Sequence, residues 1–194
     1  MADRGYAVTL FDLVPLHVEA ARERAVTAYV ADARRVPRPD ASADAVLLLG
    51  PLYHLPDPAD RAQVLAEAHR VVLTGGVVIV AGMSRWARTL VKAAEGVLAD
   101  PGWHRHTLAV MRYGRDADGD AWDRCTYRHD PDELRAEVQA AGFGDVQVVG
   151  VQGPAGAWAR RDPALHEHAI ELAREAEVAM AACPIHLLAY GVKK

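Results

Sequence analysis

The sequence predicts an α/β fold, in which a mostly parallel sheet is covered by helices on both faces. First, short apolar and β-branched runs alternate with stretches whose apolar residues recur at helical spacing. Second, proline, aspartate and glycine stand where those helical stretches begin and end. Third, residues 45–49 and 77–81 are continuously apolar, which is typical of strands buried on both faces. Such an alternation places parallel strands side by side, with a helix in each connection.

The first half of the chain supplies the elements of that alternation in order. A strand over residues 6–11 ends at Asp12, a helix runs from Pro15 to Arg24, and a strand over residues 26–30 ends just before Asp32. The buried strand 45–49 follows. Asp57 has the role of N-cap for the next helix, with proline directly after it, and the glycines at 75 and 76 predict its end. The second buried strand, 77–81, comes next.

The second half continues the pattern after a long middle segment. Asp130 is followed by proline and, three positions after the cap, by Glu133, which predicts a capping box. The helix that it opens is expected to end at Gly142. A strand over 146–151, a helix from Pro163 to Met180 and a strand over 185–192 complete the fold. We interpret residues 1–194 as one domain that carries an insertion at 84–129.

This insertion, from Ser84 to His129, is too long for a simple connection between a strand and a helix. It holds Trp86, Trp103 and Trp122, while the fourth tryptophan, Trp158, precedes the last long helix. Large aromatic side chains near the ligand-binding edge of a sheet predict a lid over an apolar acceptor. An equally good interpretation is that they cover the edge of the sheet.

Composition excludes several classes of function. The 194 residues carry a formal charge of -4, which argues against a nucleic acid or an anionic membrane held by net charge. No apolar run approaches the roughly 20 residues of a membrane span, and no secretory signal is visible. Two cysteines do not make a disulfide framework, so we expect a cytoplasmic protein.

Histidine and aspartate clusters suggest a metal site only superficially. His104 and His106 would lie on one side of a strand, with Cys125 and His129 as further candidates, but the dense spacing of a zinc site is lacking. Residues 116–120 resemble the start of a calcium loop, yet the later ligand positions are wrong, so we expect a solvated turn. We predict no metal. A nucleophile elbow and a phosphate-binding loop are also missing from the sequence.

Two acidic residues stand at the ends of predicted strands, where an open α/β sheet binds its ligands. Asp12 ends the first strand and Asp32 follows the second. A carboxylate placed there accepts hydrogen bonds from ribose hydroxyls in dinucleotide-binding folds. The alternative is that both residues only cap turns, which aspartate does routinely.

A wider pattern connects these acids to a known family. The segments at 5–12, 31–33, 39–55 and 67–80 occur in the order, and with the residue types, of the class I S-adenosylmethionine-dependent methyltransferases. The chain resembles most closely their small-molecule, type 11 kind. The resemblance is close over residues 5–82, and beyond them it extends only to the order of elements. It implies a Rossmann-like fold, S-adenosylmethionine as cofactor and methyl transfer to a small molecule.

The resemblance also implies roles for particular residues. Asp12 would bind the ribose and Leu13 would pack on the adenine. Asp32 and Ala33 would meet the amino group and ring edge of the adenine. Leu49 and Gly50 would lie where the family places the methionine part and the methyl group of the cofactor. Tyr53 and His54 would face the acceptor, with His54 either a base for an acceptor that must lose a proton or a packed polar residue.

One part of the family pattern is missing. These enzymes have an acidic, glycine-rich loop after their first strand, whose backbone approaches the methionine half of the cofactor. Only eleven residues precede Asp12, so that strand, its loop and the following helix are not in this sequence. In the family the strand lies between those ending here at Asp12 and Leu49, so two inner edges would be left open. Three explanations stay open: the edges pair directly, a partner chain supplies a strand, or the true start lies upstream.

Three functions remain for the structure to weigh. The first is S-adenosylmethionine-dependent methyl transfer to a small-molecule acceptor, with the activity of this shortened chain open. The second is a non-catalytic methyltransferase-like remnant that acts as a binding or dimerisation module, for example as a homodimer paired through its strand edges. A nucleotide-dependent dehydrogenase comes third, because its phosphate-binding fingerprint is also missing.

Overall fold

The computed structural model describes residues 1–151 and 185–194, together with the helical positions 167, 168, 170, 171 and 174. Trp158 and, apart from those positions, the helix predicted from Pro163 to Met180 lie outside the described residues. The elements in chain order are β1 (Thr9–Asp12), α1 (Pro15–Glu23), β2 (Thr27–Val30), β3 (Ala43–Leu48), a 3-10 helix (Pro51–His54), α2 (Pro58–Val71), β4 (Val72–Met83), α3 (Arg85–Ala94), α4 (Pro101–Tyr113), α5 (Ala121–Arg124), α6 (Pro131–Ala140), β5 (Phe143–Val151) and β6 (His186–Lys193).

The strands form two separate groups. β1 and β2 pair in parallel, while the other four strands form a sheet in the order β3-β4-β6-β5. β3 and β4 are parallel, but β6 runs antiparallel to both of its neighbours. The predicted α/β class with parallel strands is confirmed. The antiparallel direction of β6 was not predicted, because the alternation of strands and helices does not specify the direction of the final strand.

The inner edges of β1 and β3 are open in the described part of the chain. β1 is hydrogen-bonded to β2 alone, and β3 to β4 alone, so the two edges do not pair directly. The first of the three explanations is therefore wrong. The prediction that residues 45–49 are buried on both faces is also wrong, since Ala45 is exposed and Leu49 is 54% exposed. Both lie at a sheet edge that lacks a neighbouring strand.

Helix α2 ends earlier than predicted. It stops at Val71 and β4 begins at the next residue, so the two glycines lie within the strand. The pairing of β4 with β3 shifts register across this stretch, and Gly75 has a φ of +80°. A Cβ on Gly76 would stand 2.7 Å from the Asp44 carbonyl oxygen. The glycines therefore allow an irregularity and a close backbone approach, rather than a helix stop.

The core lies in the four-stranded part of the molecule. Helices α2 and α6 pack their buried side chains, among them Leu65 and Leu134, against Val78, Val80 and Leu187 of the sheet. The predicted capping box at the start of α6 is present. None of the helices that the structure describes has the length and apolar character of a membrane span.

Candidate functional site

Asp12 lies at the carboxyl end of β1, where the sequence predicts a ribose ligand. One carboxylate oxygen accepts the Val14 N–H at 2.8 Å, and the other lies 3.2 Å from Nδ1 of His17. The side chain is about one third exposed. Because a carboxylate has roughly four acceptor positions, Asp12 keeps capacity for further donors.

Asp32 follows the carboxyl end of β2, two residues beyond Val30, which pairs with Asp12 in the parallel neighbour β1. Its carboxylate is held by Arg34, which donates from its backbone N–H at 2.8 Å and from its guanidinium at 2.6–3.1 Å. Arg34 also donates to Asp60 at 2.9 Å. The side-chain hydrogen bonds from Arg34, and then its backbone N–H, lower the pKa of Asp32. A ligand amino group would therefore share an ionised carboxylate with Arg34.

Arg34 was missed as a site residue from the sequence. The available signal was its spacing two residues after Asp32, which allows a local turn to bring the guanidinium back to the carboxylate. Ala33, between them, is half-buried and packs against the core. Its place at the carboxyl end of β2 is therefore held by packing as well as by the turn.

The apolar residues assigned to the cofactor are accessible. Leu13 is 63% exposed, and Leu49 stands out from the end of β3. A Cβ on Gly50 would meet only the Tyr53 hydroxyl, at 3.8 Å. The carboxyl ends of β1 and β3 therefore present open apolar surface rather than packed side chains.

Tyr53 and His54 lie on the 3-10 helix Pro51–His54, which we call the 51–54 turn. The Tyr53 hydroxyl donates to the Leu49 carbonyl at 2.9 Å. The ring of His54 is 4.8 Å from that of Tyr53 and 5.7 Å, edge-on, from that of Trp122 on α5. His54 is exposed, so the interpretation as a packed polar residue is not favoured. The structure thus brings Trp122 of the 84–129 insertion onto the predicted acceptor-facing pair.

Beneath the 51–54 turn lies a buried charged residue that the sequence analysis missed. Arg61 of α2 is 2% exposed, and its Nη1 donates to the carbonyls of Leu55 at 3.0 Å and Pro56 at 3.1 Å. Its Nε and Nη2 donate to Glu137 of α6 at 2.7–3.1 Å. Its Cζ lies 3.7 Å from the ring centroid of Tyr127. An arginine on a helix face gives no sequence signal for these contacts, because Glu137 is 76 residues away.

Tyr127 and His129 complete this buried cluster. The backbone N–H of Tyr127 donates to the Tyr53 carbonyl at 3.0 Å, and its hydroxyl donates to Glu133. Burial, together with that bond to a carboxylate, raises the pKa of Tyr127 to about 12. Nε2 of His129 lies 3.3 Å from Glu137. Burial of Glu137 acts to raise its pKa, but the hydrogen bonds and charges of His129 and Arg61 outweigh it and lower the pKa to about 2.

The histidines of the 84–129 insertion are arranged differently from the prediction. His104 and His106 lie on helix α4 rather than on a strand, and Nδ1 of His106 is 2.9 Å from a carboxylate oxygen of Asp116. Both of those side chains are largely buried, so the solvated turn predicted at 116–120 is wrong at its first residue. The helix is opened by Asp100, whose side chain accepts the N–H groups of the first turn. In the described part of the chain no three histidine, cysteine, aspartate or glutamate residues are placed to hold a metal ion.

The first part of the chain is similar to a known family of proteins. Residues 1–80 match a family model described as a methyltransferase domain, of the type 11 kind. The resemblance to class I methyltransferases is confirmed. Curated protein sequences give no significant match.

Solved structures of methyltransferases share the fold. An S-adenosylmethionine-dependent methyltransferase from Thermotoga maritima aligns with a TM-score of 0.61 at 18% identity, over 96% of this chain and 73% of its own. One from Methanosarcina mazei aligns with a TM-score of 0.64 at 15% identity, over 99% and 84%. A Haemonchus contortus phosphoethanolamine N-methyltransferase, in complex with phosphomonomethylethanolamine and S-adenosylhomocysteine, aligns at 0.57 and 15%, over 99% and 45%. At these identities the likeness concerns the fold.

S-adenosylmethionine is the cofactor of this family, and the described residues fit one half of it. The carboxylates of Asp12 and Asp32, at the ends of neighbouring strands, and the exposed Leu13 suit a nucleoside with hydroxyl and amino donors. On the methionine side, no described strand pairs with the inner edge of β1 or of β3. The adenosine half therefore finds partners, whereas the methionine half is left with the open surface around Leu49 and Gly50.

Proposed function

We propose that this chain binds S-adenosylmethionine and directs its methyl group to a small-molecule acceptor. The observation that carries the proposal is the parallel pairing of β1 with β2, which puts Asp12 and, two residues beyond its partner Val30, Asp32 at the carboxyl ends of neighbouring strands. The 51–54 turn follows the carboxyl end of β3, and ligands of an α/β fold bind at the carboxyl ends of its strands.

S-adenosylmethionine would supply an electrophilic methyl group: an acceptor oxygen, nitrogen or carbon would bond to the methyl carbon in line as the carbon–sulfonium bond breaks, and the sulfur would leave as the neutral thioether of S-adenosylhomocysteine. Asp12 accepts hydrogen bonds from the ribose hydroxyls. Asp32, kept ionised by Arg34, accepts from the adenine amino group, and the backbone of Ala33 meets the ring edge. Leu13 packs on the adenine, and Leu49 with Gly50 borders the path of the methyl group.

The acceptor side is formed by the 51–54 turn and the 84–129 insertion. His54 is the base for an acceptor that must lose a proton, and Tyr53 flanks it. Trp122, edge-on to His54, supports the interpretation of residues 84–129 as a lid within a single 1–194 domain. A lid that covers the acceptor excludes water and aligns the two reactants.

Charge and cysteine usage complete the proposal. A net charge of -4 favours a small-molecule acceptor over nucleic acid or an anionic membrane surface, and the two cysteines favour a cytoplasmic location. The inner edges of β1 and β3, which no strand among the described residues covers, favour a second candidate function, a non-catalytic module that pairs with another chain or with a copy of itself as a homodimer.

The adenosine half of the site is tested by NMR titration of the chain with adenosine. We expect shifts at the amides around Asp12 and Asp32, and about 5- to 150-fold weaker binding by Asp12→Asn, the scale for an unmatched polar partner. Asp3→Asn, an exposed acid at the N-terminus, is the matched control and is expected to bind as the unaltered chain does. Equal binding by Asp12→Asn and the unaltered chain would contradict the assignment.

The lid is tested by hydrogen exchange in a preparation that binds cofactor. We expect added acceptor to protect amides within residues 84–129, because the acceptor orders that segment. Protection that is complete with cofactor alone, and does not change when acceptor is added, would overturn the lid interpretation.

A further inference from the structure

The 51–54 turn does not hold its own shape. It is a single 3-10 turn of four residues, and such short pieces have poor internal hydrogen-bond geometry. Its N-cap residue, Gly50, makes no side-chain bond, and the chain leaves it in an extended conformation at Leu55. The carbonyls of Tyr53, Leu55 and Pro56 therefore depend on donors from elsewhere in the fold.

Two residues outside the turn supply those donors. Arg61 donates to the carbonyls of Leu55 and Pro56 through one nitrogen, Nη1. The backbone N–H of Tyr127 donates to the carbonyl of Tyr53. The two residues also contact each other, since Cζ of the guanidinium lies over the phenol ring, 3.7 Å from its centroid. The exit of the turn is thus held from two sides by one stacked pair.

Arg61 is itself fixed in position. Because this residue is only 2% exposed, its charge needs a partner. The carboxylate of Glu137 is that partner and accepts hydrogen bonds from Nε and Nη2 of Arg61. Glu137 is ionised, and its second partner, His129, is fully buried and hydrogen-bonded through its backbone to Met83 at the end of β4. The nitrogen of Arg61 that reaches the turn is therefore anchored to α6 and to the sheet rather than free to follow the turn.

We propose that Arg61, braced by Glu137, is a positioning residue that holds the 51–54 turn so that His54 and Tyr53 face the acceptor. The inference rests on the proposed function for the meaning of that orientation, but the positioning itself concerns this chain alone. Arg61 does not touch the acceptor. It acts on the backbone that follows His54, so its effect is on the place of the imidazole and not on its chemistry.

Helix α2 carries a matched control for this role. Arg70 also donates to two backbone carbonyls, those of Val36 and Arg38, and is also paired with a glutamate, Glu67. Its contacts are with the 36–40 loop and not with the 51–54 turn. Loss of Arg70 therefore removes the same kind of interaction from the same helix while leaving the turn held.

The test is the NMR signal of the His54 ring in histidine-labelled protein, assigned by its loss in His54→Gln. Ring currents of Tyr53 and Trp122 displace this signal from the position of free histidine because both rings lie within 6 Å. We expect Arg61→Met to move it toward the free position, Arg61→Lys to restore it in part, and Arg70→Lys to leave it unchanged. A folded Arg61→Met protein with the unaltered His54 signal would overturn the proposal.

A second variant covers the case in which Arg61→Met does not fold. Arg61→Met combined with Glu137→Gln leaves no unpaired buried charge, and replacing a buried ion pair by neutral groups is often tolerated. The same movement of the His54 signal is expected, and its absence again overturns the proposal. Failure of the unaltered chain to bind adenosine at Asp12 would overturn the proposed function instead, without moving the His54 signal. The two failures are therefore distinguishable.

Discussion

The two parts of the molecule that carry the site are built very differently. In the β1–α1–β2 part, residues 6–30, the strands have four residues each and the buried side chains are Val18 and Ala28. In the β3–β6 part, two capped helices pack on four strands around a continuous core. The acid that we propose to bind the ribose lies in the first part, and the turn that we propose to face the acceptor lies in the second. The proposed ribose contact is therefore in the weakly packed region and the proposed acceptor contact in the strongly packed one.

The link between the two parts is polar. Arg34 connects the loop after β2 to Asp60 of α2, and Glu67 accepts the N–H of Val36 at 2.8 Å. Arg70 returns to the carbonyls of the same loop. Charged side chains thus attach the β1–α1–β2 part to α2, and no strand in the described part of the chain pairs with its inner edge. The parallel pairing of β1 with β2 is therefore kept although Val18 and Ala28 are the buried side chains of this part.

The largest expected effect is on the affinity for the cofactor, because no described strand covers the inner edges of β1 and β3. We expect the 194-residue chain to bind S-adenosylmethionine with a Kd of about 1 mM or weaker, because the methionine half lacks described partners. Several lost hydrogen bonds, some to charged groups at about 1.5–3 kcal/mol each, take a micromolar affinity to that level. Titration calorimetry measures it.

The comparison for this titration is a chain that also carries any residues encoded in frame before Met1. Tight binding by that longer chain alone would support an upstream start. Micromolar binding by the 194-residue chain would contradict the prediction, and would mean that a second protomer or another segment supplies the missing contacts.

The contrast in packing is tested by the same substitution in each part. Val64 of α2 and Val18 of α1 are both buried, at 0% and 1% exposure. We expect Val64→Ala to lower the free energy of unfolding by about 2–3 kcal/mol, because the surrounding core does not collapse into the cavity. Val18→Ala should cost about 1 kcal/mol, since few buried neighbours surround it. Urea denaturation measures both, and an equal or larger loss for Val18→Ala would contradict the comparison.

The most gradual expected effect is on the pH dependence of stability. The pKa of Glu137 falls to about 2 in the folded chain from an ordinary value of 4.5. A lowered carboxylate pKa adds stability that is fully present above the ordinary value and is lost as pH falls from there toward 2. Glu137→Gln should therefore show a shallower loss of stability across that window than the unaltered chain. Denaturation at a series of pH values measures this slope, and parallel curves would show that Glu137 does not contribute.

Local signals in the sequence were enough for several elements. Asp57 and Asp130 begin α2 and α6 as predicted, because an N-cap and its proline act within one turn of the chain. The end of α2 was wrong, because the two glycines serve a register shift against β3, which lies elsewhere in the sequence. His104 and His106 were assigned to a strand although Asp100 followed by Pro101 is itself a helix-start signal. The sequence therefore contained the signal for this helix, but the prediction gave it too little weight.

The candidate site divides in the same way. The order of motifs was sufficient to predict Asp12, Asp32 and the Tyr53–His54 pair as site residues, and their roles stay predictions. The hydrogen bond from Arg34 to Asp60, and those from Arg61 to the carbonyls that follow the 51–54 turn, were not predictable. Arg61 meets Glu137 only after α2 and α6 pack on the same sheet.

By itself, the sequence determined the alternation of strands and helices, the caps that begin the helices and the family to which the chain is similar. These depend on hydrogen bonds and apolar spacing within a few residues of each other. Only the tertiary structure decided that β1 and β3 do not pair with each other in the described part of the chain, that β6 runs antiparallel, and that a buried arginine donates to the backbone after the turn. Each of these depends on which distant backbone and side-chain groups are brought within hydrogen-bonding distance when the sheet and its helices pack.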